Sequence, residues 1–151
     1  MPESNGVLAV RALARVSRVL ERASADLSLA HYRVLSAVAS GDERASRLAA
    51  RLALGRPAVS SAVEALGRRG LLLRTESAQD QRAVTLSLTP QGQRLLDEVE
   101  AEMVARLAEL CALTPDGERV TESLAWLGDA LEASAPQRLE QARAARRKQT
   151  R

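Results

Sequence analysis

The stretch from Arg44 to Thr89 constrains the fold more than any other part of the chain, because it predicts two short helices and a β-hairpin in close succession. Proline in the first turn suits a helix start, since its missing N–H would have had no partner within the helix. Glycine suits a helix end, where the backbone turns left-handed. In chain order the predicted elements are a helix Ala45–Leu52, a break Leu54–Arg56, a helix from Pro57 to Gly70, a strand Leu71–Thr75, a polar loop Glu76–Gln81 and a strand Ala83–Thr89. This order predicts a winged helix-turn-helix, in which the second helix can lie in a DNA major groove.

The second helix of this block has two distinct faces. Val59, Val63 and Leu66 recur at helical spacing with Ala62 beside them, which predicts one buried face. The opposite face is polar and is therefore available to contact DNA. The residues expected on or beside it are Pro57, Ser60, Ser61, Glu64 and Arg68.

Charge is segregated along the chain. Between Arg44 and Arg82 there are eight arginines and three acidic residues, a local charge of +5. Between Gln91 and Ala135 there are three arginines and ten acidic residues, a local charge of −7. A basic lobe beside an acidic one is expected of a phosphate-binding head on a scaffold that does not bind DNA. We include Arg56 and Arg74 among the expected DNA contacts.

Length and composition favour a single, mainly helical domain. The 151 residues include no Phe, one Tyr and one Trp, so the core must be aliphatic. The single cysteine, Cys111, excludes an internal disulfide. No apolar run approaches the ~20 residues that span a membrane, and no signal-peptide pattern precedes Leu8. We therefore expect a cytoplasmic protein without a membrane partner.

The sequence offers little for catalysis. His31 is the only histidine, which excludes a catalytic triad or a histidine cluster, and we expect it at the surface or in a capping role. No closely spaced metal ligands and no glycine-rich phosphate loop appear, so we expect no enzyme, cofactor or metal site. Cys111 lies late in a helical pattern and is expected to be a buried structural thiol rather than a redox switch.

Long helical patterns flank the head and predict a homodimer. One covers about Val7–Ala25, a second runs from Pro90 to about Leu113, and a third starts near Thr114. Their apolar stripes have no sheet to cover them, so a second copy is the simplest partner, and a dimer fits a palindromic operator. The predicted division is a head at 27–89, dimerisation helices at 7–25 and 90–135, and a basic tail at 137–151, expected as a frayed helix or a disordered arm. The fold class expected is mainly α with a small β-hairpin wing.

The chain resembles the MarR family of bacterial transcriptional regulators over about Val7 to Leu131. The resemblance is carried by several runs in the head and, most specifically, by the wing. The matching runs are Leu27–Leu35, Leu48–Leu52, Arg56–Val63, Leu66–Arg74 and the closing signature Asp80–Gly92. It implies a dimer with a winged head that binds an operator and usually represses.

The resemblance also implies roles for individual residues. The helix from Pro57 becomes the recognition helix, Arg82 the wing arginine that enters the minor groove, and Asp80 the acid that orients the wing loop. The chain departs from the family in having Gly55-Arg56 where Ser, Thr or Asp is common, which weakens the helix cap. Many members release DNA when a small aromatic or phenolic ligand binds between head and dimer helices. The candidate ligand contacts in this chain are Arg15, Arg18, Tyr32 and Trp126.

Three alternatives remain open at the level of sequence. The first is that the block is only a small buried helix followed by a surface hairpin. The second is an architectural protein that binds double-stranded DNA without sequence preference. The third is a dimeric interaction protein whose winged head binds other proteins.

Overall fold

The computed structural model describes residues 4–24, 26–41, 48–49, 51–52, 54–77 and 80–149. Of these, residues 76–77, 80–83 and 135–149 are described by their backbone alone. The elements are α1 (Asn5–Ala23), α2 (Leu29–Ala39), α3 (Arg56–Arg68), β1 (Leu72–Ser77), β2 (Asp80–Leu88), α4 (Pro90–Cys111) and α5 (Gly117–Gln149). The predicted fold class, mainly helical with a two-stranded antiparallel hairpin, is confirmed.

Local sequence signals set most of the helix starts. The hydroxyls of Ser4, Ser28 and Thr89 accept hydrogen bonds from backbone amides in the first turns of α1, α2 and α4. Such caps satisfy amide groups that have no partner within the helix. Gly55 precedes α3 and provides no side-chain hydrogen bond, as the sequence predicts. Gly70 has φ +70°, the left-handed conformation expected after the end of α3.

The core lies in the head and continues onto α4 through Leu96, Val99 and Met103. Its fully buried side chains come from the segment before α2, from α2, from the helical turn before α3, from α3, and from the hairpin and Leu71 before it. Burying an aliphatic side chain of this size contributes roughly 1.5–3 kcal/mol, so this cluster fixes α3 against the rest of the head. The largest buried side chains are Leu27, Leu35, Leu48, Leu66, Leu71 and Leu86.

The head joins α4 through a tight junction at Thr89. The Thr89 amide donates to the carbonyl of Leu71 at 3.1 Å, and its hydroxyl donates to the carbonyl of Gly70 at 2.7 Å. Gly92 lies directly over the Leu71 backbone, where an added Cβ would stand 2.0 Å from the Leu71 carbonyl oxygen. Only glycine permits this approach, so the end of α3 and the start of α4 are held together.

Several predicted boundaries differ from the structure. The strands reach Ser77 and Asp80, so pairing continues through most of the predicted loop Glu76–Gln81. Both faces of a hairpin that projects into solvent can be polar. The polar composition of residues 76–81 therefore wrongly predicted a loop where the strands still pair. The predicted first helix of the block, Ala45–Leu52, falls largely outside the described residues, although the Leu52 amide donates to the Leu48 carbonyl at 2.9 Å.

The last helix also differs from the prediction. It begins at Gly117 rather than near Thr114, because the Asp116 side chain accepts a hydrogen bond from the Arg119 amide at 3.0 Å and caps the helix there. It then continues without a break to Gln149, so the backbone of the basic tail from 137 to 149 is helical.

The flanking helices leave apolar surface uncovered. No residue of α1 is buried, and Val10 and Leu13 are 66% and 48% exposed. On α5, Leu127 and Leu131 are 52% and 57% exposed. A cleft of about 670 Å³ runs between α1, α4 and α5. Its apolar lining includes Leu13, Val16, Leu107, Leu110, Leu124 and Leu127.

Candidate nucleic-acid interface

Helix α3 presents the two faces that its sequence predicts. Val59, Ala62, Val63 and Leu66 are buried against the head. The opposite side is exposed over the whole length of the helix. Its exposed residues are Arg56, Pro57, Ser60, Ser61, Glu64 and Arg68. The predicted contact residues of α3 are therefore brought together on one solvent-facing surface, which we call the α3 face.

The start of α3 is the part of this face best suited to a phosphate. The first amides of a helix lack partners within it and carry the positive end of the helix dipole. Gly55 leaves those amides without a side-chain cap, and Arg56 stands exposed beside them. Pro57 has no N–H, so the backbone donors that an anion would meet here are the neighbouring amides, together with the Arg56 guanidinium.

The end of the α3 face carries an ion pair. Arg68 Nη1 lies 3.2 Å from Glu64 Oε1, and both side chains are largely exposed. An exposed pair one helical turn apart contributes little to stability, about 0–1 kcal/mol. Arg68 can therefore exchange Glu64 for a DNA phosphate or base edge at small cost.

The hairpin extends the basic surface beyond α3. Arg74 is exposed on β1, where its backbone stands opposite Leu86 of β2. Asp80 pairs with Ser77 at the far end of the hairpin, and Arg82 follows two positions later on the same strand. The backbone thus places Asp80 and Arg82 near the hairpin tip, while their side chains lie outside the described residues.

Comparisons with known proteins agree with this architecture. Residues 25–83 match the model of the MarR family. The transcriptional regulator MosR of M. tuberculosis, solved in complex with DNA, is 27% identical, with 87% of this chain and 98% of that chain covered at a TM-score of 0.62. The residues matched to the family model cover most of the head, which is therefore similar to the MarR family.

A second similarity is to the transcriptional repressor CouR. CouR bound to a 23-mer DNA duplex is 25% identical, with 84% of this chain and 92% of that chain covered at a TM-score of 0.73. CouR of Rhodococcus jostii bound to p-coumaroyl-CoA is 24% identical, with 88% and 92% covered at a TM-score of 0.70. A search of curated proteins found no match.

The four candidate ligand contacts are not brought to one place. Tyr32 lines a depression of about 270 Å³ between the head and α5. Trp126 is 59% exposed and lines a different depression, among Asp116, Arg119 and Glu122. Arg15 and Arg18 are exposed on α1, and Arg18 lies 3.8 Å from Glu21. Of the four, Tyr32 alone stands between a MarR-type head and its flanking helices.

Tyr32 makes a side-chain hydrogen bond to α4. Its hydroxyl donates to Glu100 Oε1 of α4 at 3.4 Å. Burial and the neighbouring Glu100 charge raise the pKa of the Tyr32 hydroxyl above its usual value, so it stays protonated and able to donate. The contact links α2 of the head to α4.

Sequence reasoning missed the contacts that fix the head to the other elements. Arg51 donates from Nε and Nη2 to Glu132 Oε1 at 3.2 and 3.0 Å, and Tyr32 meets Glu100. Arg69 donates to the backbone carbonyl of Asp26 at 2.9 Å. These partners lie 43 to 81 positions apart in sequence, so no local spacing signals them.

The other singled-out residues have structural surroundings. The His31 ring is partly buried, and this burial together with the Arg69 charge lowers its pKa, which keeps it neutral at pH 7. Cys111 is buried, as expected, and accepts a hydrogen bond from the Thr121 hydroxyl at 3.7 Å. Across the described ranges no group of three or more possible metal ligands occurs. No helix in the described part of the chain has the length and apolar character to cross a membrane.

Proposed function

We propose that this chain is a MarR-family regulator that acts as a homodimeric, sequence-specific DNA-binding repressor. The observation that carries the proposal is the α3 face, where Ser60, Ser61 and Arg56 are exposed while the opposite side is locked into the core. A helix held in this way can present hydroxyl and guanidinium groups to base edges and phosphates without reorganising. The DNA complexes of MosR and CouR support the same use of the fold.

The wing is the second DNA contact. Arg74 lies on β1, and the backbone places Arg82 near the tip of the hairpin. We assign Arg82 to the minor groove beside the half-site, where a narrow A·T-rich groove concentrates negative potential. Asp80, two positions earlier, is assigned to orienting the tip.

The apolar cleft between α1, α4 and α5 supports the dimer. Its lining and the exposed side chains of Val10, Leu13 and Leu131 form a surface that a second copy would cover. Two α3 faces carried by such a dimer would read the two halves of a palindrome about one DNA turn apart.

The proposal also includes release of the protein from its operator by a small effector. The depression beside Tyr32 lies between the head and α5, so a ligand there would alter how the head is held. CouR binds p-coumaroyl-CoA, and an aromatic or phenolic acid is the class we assign to this chain. A screen of such acids tests this: a binder should weaken operator affinity, and Tyr32→Phe should reduce its effect. No change in DNA affinity with any compound would leave a ligand-independent repressor.

Selection of bound sites from random DNA, followed by footprinting on the selected sequence, tests the main proposal. We expect an inverted repeat with half-sites about one DNA turn apart. The second candidate, an architectural protein without sequence preference, rests on the basic charge of the head. It predicts that no motif is enriched while binding still falls steeply with salt.

A further inference from the structure

The C-terminal part of α5 has a charge that the proposed head and dimer do not use. From 137 to 149 the sequence holds five cationic residues and one acid, Glu140. The preceding segment, 91–135, has a net charge of −7. The cationic residues are Arg138, Arg143, Arg146, Arg147 and Lys148. We call residues 137–149 the basic helix end.

The path of α5 brings this segment to the head. Helix α5 begins beside the end of α4, where a Cβ on Gly117 would stand 2.7 Å from the Cys111 carbonyl oxygen. It then borders the apolar cleft with Leu124 and Leu127 and reaches the head at Glu132, which pairs with Arg51 at 3.0 Å. The helix therefore runs from the far end of α4 toward the head.

The helix extends well past its contact with the head. It continues without a break from Glu132 to Gln149, and 17 residues at 1.5 Å each extend it by about 25 Å. The backbone has no chain reversal in this range. The basic helix end therefore lies beyond the contact with the head.

The Arg51–Glu132 contact places the emerging helix beside the turn that precedes α3. Arg51 belongs to this helical turn, and the corresponding helix of a helix-turn-helix crosses the DNA backbone. DNA bound by the head would present a dense array of phosphates near this turn, one per strand for about every 3.4 Å of the duplex axis. Charge complementarity and position thus indicate the same partner.

Resting on the proposed DNA binding, we propose that the basic helix end binds the phosphate backbone of double-stranded DNA flanking the operator. The contact adds affinity on any flanking sequence and leaves the choice of operator to the α3 face. It extends the footprint of each chain along the DNA beyond the half-site.

The test compares salt dependence on two duplexes. One duplex is trimmed to the selected operator, and the other carries flanks of about ten base pairs on each side, longer than the ~25 Å that the helix end extends. The variant is the full chain with Arg143→Gln, Arg146→Gln, Arg147→Gln and Lys148→Gln. The control neutralises exposed arginines of the acidic lobe that lie outside the lining of the apolar cleft, with Arg94→Gln and Arg106→Gln.

We expect the variant to have a weaker salt dependence on the flanked duplex. The slope of log affinity against log salt should fall by about 0.9 for every phosphate that the variant no longer binds, hence by at least about one unit. On the trimmed duplex the slope should stay near the wild-type value, and the control should match the wild type on both. An unchanged slope on the flanked duplex would overturn the proposal.

Two further outcomes separate the possible failures. If the variant sediments as a smaller species than the wild type, the helix end binds the partner chain rather than DNA, and the proposal is wrong. If the wild type fails to bind the trimmed operator, the proposed function itself fails. Wild-type binding with an unaltered variant slope contradicts the flanking contact alone.

Discussion

At the scale of single residues, Gly92 stands at a position that has no room for a side chain. Its Cα lies over the Leu71 backbone, and an added Cβ would stand 2.0 Å from a carbonyl oxygen that cannot move aside. We expect Gly92→Ala to lower the free energy of unfolding by on the order of 1–3 kcal/mol, as overpacking does. Urea denaturation measures this.

Gly128 provides the matched control for that substitution. It lies on α5, and a Cβ added there would have nothing within 4 Å. Alanine at this position should therefore raise the free energy of unfolding by about 0.5–1 kcal/mol through its higher helix propensity. Equal effects of the two substitutions would contradict the tight junction at Thr89.

Ser61 and Arg56 test the DNA-contacting role of the α3 face. Both are exposed and contribute nothing to the core, so Ser61→Ala and Arg56→Ala should leave thermal unfolding unchanged. We expect Ser61→Ala to weaken operator binding by about 1 kcal/mol, within the range of a single base contact. Arg56→Ala should also weaken operator binding.

Ser17→Ala, on the exposed surface of α1, is the control and should bind like the wild type. Wild-type operator preference in both head variants would remove these residues from the interface.

At the scale of elements, the contact between Arg51 and Glu132 holds the head against α5. A partly exposed pair contributes up to about 1 kcal/mol, which corresponds to roughly a fivefold change in operator affinity if it fixes the head in its binding orientation. We expect Glu132→Arg to weaken binding by up to that factor. The reversed pair, Arg51→Glu with Glu132→Arg, should recover part of the loss.

Asp129→Arg is the control for the charge reversal, because Asp129 is exposed on the same helix about one turn earlier. It makes the same change in charge away from Arg51. If Asp129→Arg and Glu132→Arg weaken DNA binding equally, the cause is a general change in the electrostatic field of α5. The Arg51–Glu132 pair then does not position the head.

The elements also show what sequence can predict. Local spacing in the sequence predicts the two faces of α3, the helix start after Thr89 and the turn at Gly70. The structure has all three where the sequence predicts them. The predicted strand ends at the hairpin tip are wrong, because the length of a strand depends on its partner strand. Polar composition does not reveal that pairing. The Tyr32–Glu100 and Arg51–Glu132 contacts join distant segments, so only the folded chain brings them together.

At the scale of the whole molecule, the uncovered cleft between α1, α4 and α5 predicts obligate association. Leu124→Asp would place an unpaired charge in that cleft, and we expect monomer or unfolded chain in sedimentation experiments. Ala125→Asp, exposed on the same helix and outside the cleft lining, should remain dimeric. A folded wild-type monomer at micromolar concentration would contradict the dimer.

In the proposed function, the α3 face of a dimer reads a specific DNA sequence. This reading is tested most directly by the ratio of affinities for the selected operator and for a scrambled duplex of equal length and composition, at one fixed salt concentration. We predict that the wild type prefers the operator by at least about a thousandfold, as specific DNA-binding proteins do. Equal affinity for the two duplexes would contradict the account and favour an architectural protein that binds by charge alone.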